Sequence, residues 1–414
     1  MLQIDIARLR RDLERMAEFT ATPGQGCTRF SYSPEDRRAR DYLLAQLAEL
    51  GLTVSTDGVG NIRARKEGRV PGLPPVLVGS HIDSVGHGGN FDGVLGVLAG
   101  LEVLRTIARH NQEHDHPLEL IVFAEEEGSN FGRSLAGSKA LVGALQVEDL
   151  KGFRDGQGRS MYQLAKDFGL EPDTMAEKTI KPGEVKALVE LHIEQSVVLD
   201  RQGIPLGIVE NVAGNKWLGV HLRGEANHAG ATPMKFRRDP LAGAVEIMAS
   251  VDDILTRFGS AAAVTTVGRI HCSPNIPNVI PGKVYFTLDV RDTNDEGLGA
   301  VAIALVDKVH AVARARGLEA EIEVLGDTKP VTFAPGVIGE LERAARELGI
   351  PTLKMSSGAL HDACVMTAVT DVGMLFVPSV GGRSHTPEEF TRYEDIEKGC
   401  NVLLRAILGL AQSS

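Results

Sequence analysis

Cysteine is scarce and scattered: the 414 residues hold four, Cys27, Cys272, Cys364 and Cys400, with no CxxC pair among them. That excludes a disulfide framework and a thiolate zinc site, and it fits a reducing compartment. Basic clusters are missing as well. No Lys/Arg run exceeds two residues and the formal net charge is −11, so the chain has no electrostatic footprint for nucleic acid. No uninterrupted apolar run approaches the ~20 residues needed to cross a bilayer. Residues 1–20 carry charges throughout and do not read as a signal peptide. A cytoplasmic protein without a nucleic-acid or membrane partner is expected. No repeat of fixed period and no low-complexity tract interrupts the chain.

What is present is ordinary in bulk, with 43% hydrophobic and 24% charged residues. The length allows a large core and suggests two or more domains. The informative stretch is 76–96, VLVGSHIDSVGHGGNFDGVLG. A short apolar run, one buried strand, stops in His81, Asp83, His87, Asn90 and Asp92, interleaved with glycines. A strand ending in imidazoles and carboxylates on a glycine-rich loop is how an α/β enzyme presents ligands at the carboxyl edge of its sheet. His81 and Asp83 project to the same side of an extended chain, so one can bind a metal while the other accepts or fixes the ring N–H. Taken singly, each histidine reads equally well as a solvated loop residue.

The pattern recurs. Residues 94–108 form a helix, and the apolar run 118–124 ends in Glu125-Glu126-Glu127. The run 186–191 ends in His192-Ile193-Glu194-Gln195. Strand, helix, strand with ligand-type residues at each end describe a βαβ unit with one shared rim. Residues 129–185 are polar and mixed, with little to fix. From residue 212 the character changes: alternating stretches at 217–222, 263–270, 284–290 and 322–325 are interleaved with helical patterns at 240–257 and 296–316. Four strands and two helices predict an α+β domain inserted over 212–326, between a first catalytic part at 1–211 and a second at 327–414. The expected class is α/β, a mixed-sheet hydrolase domain with an inserted lid or dimerisation domain.

The residues collected at strand ends are His81, Asp92, Glu126, Glu127, His192 and His385. Three imidazoles and three carboxylates without a thiolate suit zinc, manganese, cobalt or nickel in an open, catalytic site. The inventory is large enough for two ions with a bridging carboxylate. Adjacent Glu126 and Glu127 point different ways, so one can ligate while its neighbour stays free as a general base. On its own, a run of three glutamates is more readily a solvated turn.

Here the motifs GSHIDSV…GGNFDG, FAEEEG, ELHIEQ, NHAGATPM, NVIPGK with DVRD, SGALHDA and GRSHTPEE become specific. In order and spacing the chain resembles the N-carbamoyl-L-amino acid hydrolase, β-ureidopropionase and allantoate amidohydrolase branch of the aminoacylase-like di-metal hydrolases. The resemblance covers essentially the whole chain. It implies one ion on His81, Asp92 and His192 and a second on Asp92, Glu127 and His385, with Asp92 the bridge. It further implies Asp83 orienting His81, Glu126 as base, and His228 polarising the scissile carbonyl, often in the partner subunit's site. Asn278 and Arg291 would clamp the substrate carboxylate, and Gln195 with Ser357 and Gly358 would contact the ureido group. His361 is a further candidate contact, although with Asp362 it is also placed to cap the following helix. Apart from the resemblance, Arg291 in DVRD reads more readily as an ion pair on a strand, and Asn278 could be only a turn residue.

The activity implied is cleavage of the carbamoyl C–N bond of an N-carbamoyl-L-amino acid, by a homodimer joined through the inserted domain. Allantoate or N-carbamoyl-β-alanine is the alternative substrate, an aminoacylase or dipeptidase the rival within the superfamily, and a non-catalytic metal-binding relative the last. Asn215, after Gly214, leans toward the allantoate pattern, because a second ureido group wants an amide partner, whereas Trp217 leans toward the carbamoylases.

Overall fold

The computed structural model describes residues 2–413, which divide into two compact units. The first comprises Met1–Glu210, Phe333–Met355 and Ala359–Ser414; the second comprises Asn211–Thr332 with Ser356–Gly358. Among the described residues no helix is long and apolar enough to cross a membrane.

The first unit is built on a mixed sheet. Leu118–Phe123, Val76–His81, Ala187–Ile193 and Asp371–Val377 lie side by side and parallel. Antiparallel strands flank this block, Ile62–Lys66 beyond Leu118–Phe123 and Leu206–Val212 beyond Asp371–Val377. The four parallel strands are apolar runs because helices cover them; only Asp371 at one end is exposed. Val94–Arg109 is largely apolar and buried on every side from Val94 to Ile107, so it is the central helix. Ile6–Ala17 docks on it through buried charge: Glu102 accepts from Arg8 Nε at 2.6 Å, from the Asp5 N–H at 2.8 Å and from Thr106 Oγ1 at 3.1 Å. Pro34–Glu49 begins as its sequence demands, with Ser33 Oγ accepting the Asp36 N–H.

The segment 129–185 is not featureless. Ala136–Leu141, Val147–Gly152 and Met161–Asp167 are short helices around a satellite core that includes Phe131, Leu150, Met161 and Phe168. Each helix is too short to display a repeating apolar stripe, which is why the pattern is silent there.

The second unit has five strands in its main sheet where four are expected, and three helices where two are expected. Lys283–Asp292 pairs with Gly214–Arg223, which pairs in turn with Glu319–Thr328. The run expected as a single strand at 263–270 is broken into Val264–Thr266 and Ile270–Ser273, both on Lys283–Asp292. Gly268 lies in the break, where glycine weakens a strand. The helical pattern at 240–257 is two helices, Pro240–Met248 and Val251–Phe258. Ser250 folds its hydroxyl back onto the Ile247 carbonyl at 2.7 Å, and Asp252 and Asp253 then favour a fresh N-terminus. The unit also runs past 326, because Glu319–Thr328 stays paired as far as Thr328 opposite Asn215. Its helices cover one sheet face, where Leu218, Val220, Phe286 and Leu288 meet Leu298, Val301 and Leu305. Asn215, Trp217, Asp289 and Arg291 belong to the opposite, open face.

Candidate functional site

The carboxyl ends of the four parallel strands define one rim. His81 closes its strand, His192 is the penultimate residue of the next, and Glu126 and Glu127 follow Leu118–Phe123 through a turn in which Glu125 has φ of +51°. His385, at φ +57°, lies in the loop after Asp371–Val377, and Gln195, at φ +60°, lies just past His192. Left-handed backbone at three non-glycine residues of one rim is strain of the kind stored at functional sites. Asp92 sits before the central helix, next to Gly93. A Cβ on Gly93, whose φ is +65°, would lie 2.4 Å from the His81 ring. Only glycine lets the loop pass this close.

Asp92 is the hub. Its Oδ1 lies 3.5 Å from His81 Nε2 and 3.2 Å from His192 Nε2, while its Oδ2 lies 3.3 Å from His385 Nε2. His385 Nε2 is also 3.5 Å from Glu127 Oε2. Two donor sets result, His81–Asp92–His192 and Asp92–Glu127–His385, each with ligand atoms within 4.8 Å of one another. These groups are placed to bind metal. Glu127 Oε1 is buried without a hydrogen-bond partner, an orphaned acceptor of the kind a cation would satisfy. Glu126 stands beside them, its Oε2 3.8 Å from His81 Nε2. Gln195 Nε2 donates to Asp92 Oδ2 at 2.7 Å.

Residues behind this layer hold it. Asp83 works differently from expectation: the His81 Nδ1 faces the main-chain carbonyl of Asp83 at 3.1 Å, and the carboxylate is 3.7 Å away. That carboxylate instead accepts the N–H groups of Glu126 and Glu127 at 3.2 and 3.1 Å, so it fixes the turn that carries the two glutamates. His192 is oriented by its own neighbour, with Nδ1 2.9 Å from the Ile193 carbonyl. His361 is buried, its ring edge-on to His192 with centroids 4.6 Å apart. It also stands at the N-cap position of the helix Asp362–Met366, where its carbonyl accepts the Cys364 N–H at 2.9 Å and no side-chain capping bond is made.

Sequence reasoning passes over Glu190, Ser384 and Glu389. Glu389 accepts the N–H groups of Phe91 and Asp92 at 2.9 and 3.0 Å, and Ser384 Oγ donates to Asp92 Oδ2 at 3.0 Å. Glu190 accepts from Ser80 Oγ at 2.6 Å. A lone acid inside the apolar run ALVELHI was a signal for Glu190; nothing separates Glu389 from Glu388 in the sequence.

The electrostatics are those of crowded charge away from water. Burial pushes Glu126 well above the usual carboxyl range, with Glu127 and Asp362 adding repulsion. Burial and Asp92 raise Glu127 to about 7. Burial acts the same way on Asp92, but His192, His385 and His81 outweigh it and hold that carboxyl well below the ordinary range. His385, hydrogen-bonded to Asp92, is raised to about 9. Carboxyls pushed up by burial in this way are groups whose ionised form a bound cation would favour.

The remaining candidates belong to the second unit and fall into two groups. His228 lies on a two-stranded ribbon opposite Val279, and Asn278 directly precedes that second strand, its carbonyl accepting the Ala229 N–H at 3.0 Å. Arg291 stands opposite Asn215 in the five-stranded sheet. It is held both by the Asp289 carboxylate, 3.1 Å from Nη2, and by the Gly358 carbonyl, 2.6 Å from Nη1. The strand ion pair is therefore present, and it orients the guanidinium. Ser357 enters through its carbonyl, which accepts the Ala213 N–H at 2.9 Å.

The model of Peptidase family M20/M25/M40 matches residues 77–409. The chain belongs to this family. Within it, the chain is 42% identical over 405 residues to the N-carbamoyl-L-amino acid amidohydrolase of Geobacillus stearothermophilus, covering 98% of each. It is 33% identical to the allantoate amidohydrolase of Escherichia coli (strain K12), covering 97% of each. Among solved structures, an amidase of the hydantoinase/carbamoylase family from Burkholderia multivorans superposes with a TM-score of 0.93 at 37% identity, over 100% of this chain and 99% of that one. An M20-family hydrolase explains why metal-ligand types gather on the carboxyl rim, and the mixed α/β architecture is that of these relatives.

Proposed function

We propose that this M20-family chain hydrolyses the carbamoyl C–N bond of N-carbamoyl-L-amino acids, releasing the L-amino acid, ammonia and carbon dioxide. The observation that carries the hydrolytic reading is Asp92, whose two oxygens face two different donor sets. Two divalent ions per subunit, zinc or manganese, cobalt or nickel, on His81–Asp92–His192 and Asp92–Glu127–His385 would polarise the ureido carbonyl and lower the pKa of water. Glu126 takes the proton from the attacking water and delivers it to the leaving nitrogen, a role suited to a carboxyl raised by burial. Asp83 keeps Glu126 in place by gripping its N–H. Arg291, pre-oriented by Asp289, takes the substrate carboxylate with its planar fork, and Asn278 completes that clamp. Gln195, Gly358 and His361 supply contacts to the ureido end.

In this reading the inserted unit serves as lid and as the surface through which two copies pair, and His228 polarises the scissile carbonyl. Four free cysteines agree with a cytoplasmic setting. A second substrate, allantoate, is favoured by one observation: Asn215, opposite Arg291, has a buried Oδ1 with no hydrogen-bond partner. Ammonia release from N-carbamoyl-L-amino acids and from allantoate, with each metal supplied, tests both readings. Glu126→Gln is expected to lower kcat by about 10²–10⁴-fold while retaining bound metal. Undiminished turnover by that variant would remove Glu126 as the base.

A further inference from the structure

The open face of the second unit's sheet carries a feature the reading above leaves unused. Trp217 is the only tryptophan of the chain and stands 41% exposed. It lies opposite Asp289 on one neighbouring strand and Gly326 on the other. The indole packs alongside the Gly326 backbone, where a Cβ would lie in ordinary contact with it, 3.8 Å from its Cγ. Leaving that much apolar ring in water is costly. Trp217 walls a cavity of about 280 Å³ together with Thr266, Thr287, Leu325, Arg269 and Asp289. That is close to the ~300 Å³ at the small end of ligand pockets.

The cavity and the carboxylate clamp share a residue. Asp289 lines the cavity, and its carboxylate holds Arg291 through Nη2 at 3.1 Å. Thr287, Asp289 and Arg291 alternate along one strand and so face the same way, about 7 Å apart from one to the next. An α-amino acid bears its carboxylate and its side chain on a single carbon. A ligand whose carboxylate meets Arg291 can therefore place its side chain within one such step, which reaches Asp289 and the cavity that it lines.

We propose that the cavity walled by Trp217, Thr266 and Leu325 is the side-chain subsite, and that it selects N-carbamoyl-L-amino acids with aromatic or large apolar side chains. This rests on the proposed carbamoylase activity and on Arg291 as the carboxylate clamp. It runs against the allantoate reading, since allantoate places a second, polar ureido group where an amino acid has its side chain, and an apolar wall offers that group no amide partner.

Two measurements test it. The lone tryptophan reports on its own cavity: L-phenylalanine added to the metal-loaded protein shifts the emission, and glycine at the same concentration does not. The ratio of kcat/KM for N-carbamoyl-L-phenylalanine over N-carbamoylglycine favours the aromatic substrate. It falls about tenfold or more in Trp217→Ala, is largely kept in Trp217→Phe, and falls again in Thr266→Trp, which fills the space from the opposite wall. A ratio unmoved by both Trp217→Ala and Thr266→Trp, or emission blind to L-phenylalanine, overturns the subsite while leaving the carbamoylase reading intact. Absence of ammonia release from every carbamoyl amino acid by the metal-loaded wild type defeats that reading, and the subsite with it.

Discussion

Asp92 shows why the site depends on individual side chains: one carboxylate faces three imidazoles, and Gln195 Nε2 and Ser384 Oγ both donate to its Oδ2. The ligand types were legible because each follows an apolar run, and an imidazole or acid at the end of a buried strand is conspicuous. Their supports were less so. Asp83 acts on His81 through a carbonyl, which no side-chain pattern encodes, and its carboxylate serves a turn 43 residues away. The buried acids also set a pH dependence. Glu125 is raised to about 8 by burial and by Asp83, and Glu127 to about 7 by burial and Asp92, from 4.5 in an ordinary setting. Between 4.5 and 8 the folded chain thus binds more protons than the unfolded one, so stability declines as pH rises through that window. The thermal midpoint of chelated protein is expected to be lower at pH 8 than at pH 5, and added divalent metal to recover it at pH 8. A midpoint rising from pH 5 to 8 without metal would contradict the burial of these acids.

Among the elements, the central helix Val94–Arg109 links site and scaffold, since its N-terminus follows Asp92 and its middle carries buried Glu102. Glu102 ties Ile6–Ala17 to the core through Arg8. Glu102→Ala leaves that buried guanidinium with only the half-exposed Asp5, 3.5 Å from Nη1, and is expected to cost about 3 kcal/mol in urea unfolding. Replacing both residues by apolar ones of similar volume should cost much less. A Glu102→Ala loss below 1 kcal/mol would mean that the pair is solvated. Long periodic helices and apolar strands were readable, as the expected helix at 94–108 shows. The second unit was misread in detail, because Ser250 and Gly268 interrupt patterns whose hydrophobic period runs straight through them. The short helices of 136–167 were invisible for the opposite reason, having too few turns to show a period.

At the scale of the molecule, sequence order conceals how the site is made. The donors span residues 81 to 385, and parallel strand pairing brings them to one rim: Val76–His81 lies beside Ala187–Ile193, which lies beside Asp371–Val377. The motifs named the residues; the pairing of strands more than a hundred residues apart is a long-range property that local periodicity does not carry. Anomalous diffraction from crystals grown with manganese or zinc tests the central claim most directly. Two peaks about 3.5–4 Å apart, with Asp92 between them and His81, His192, Glu127 and His385 around them, are predicted. No peak at Asp92, or peaks bound only by other residues, would contradict the account.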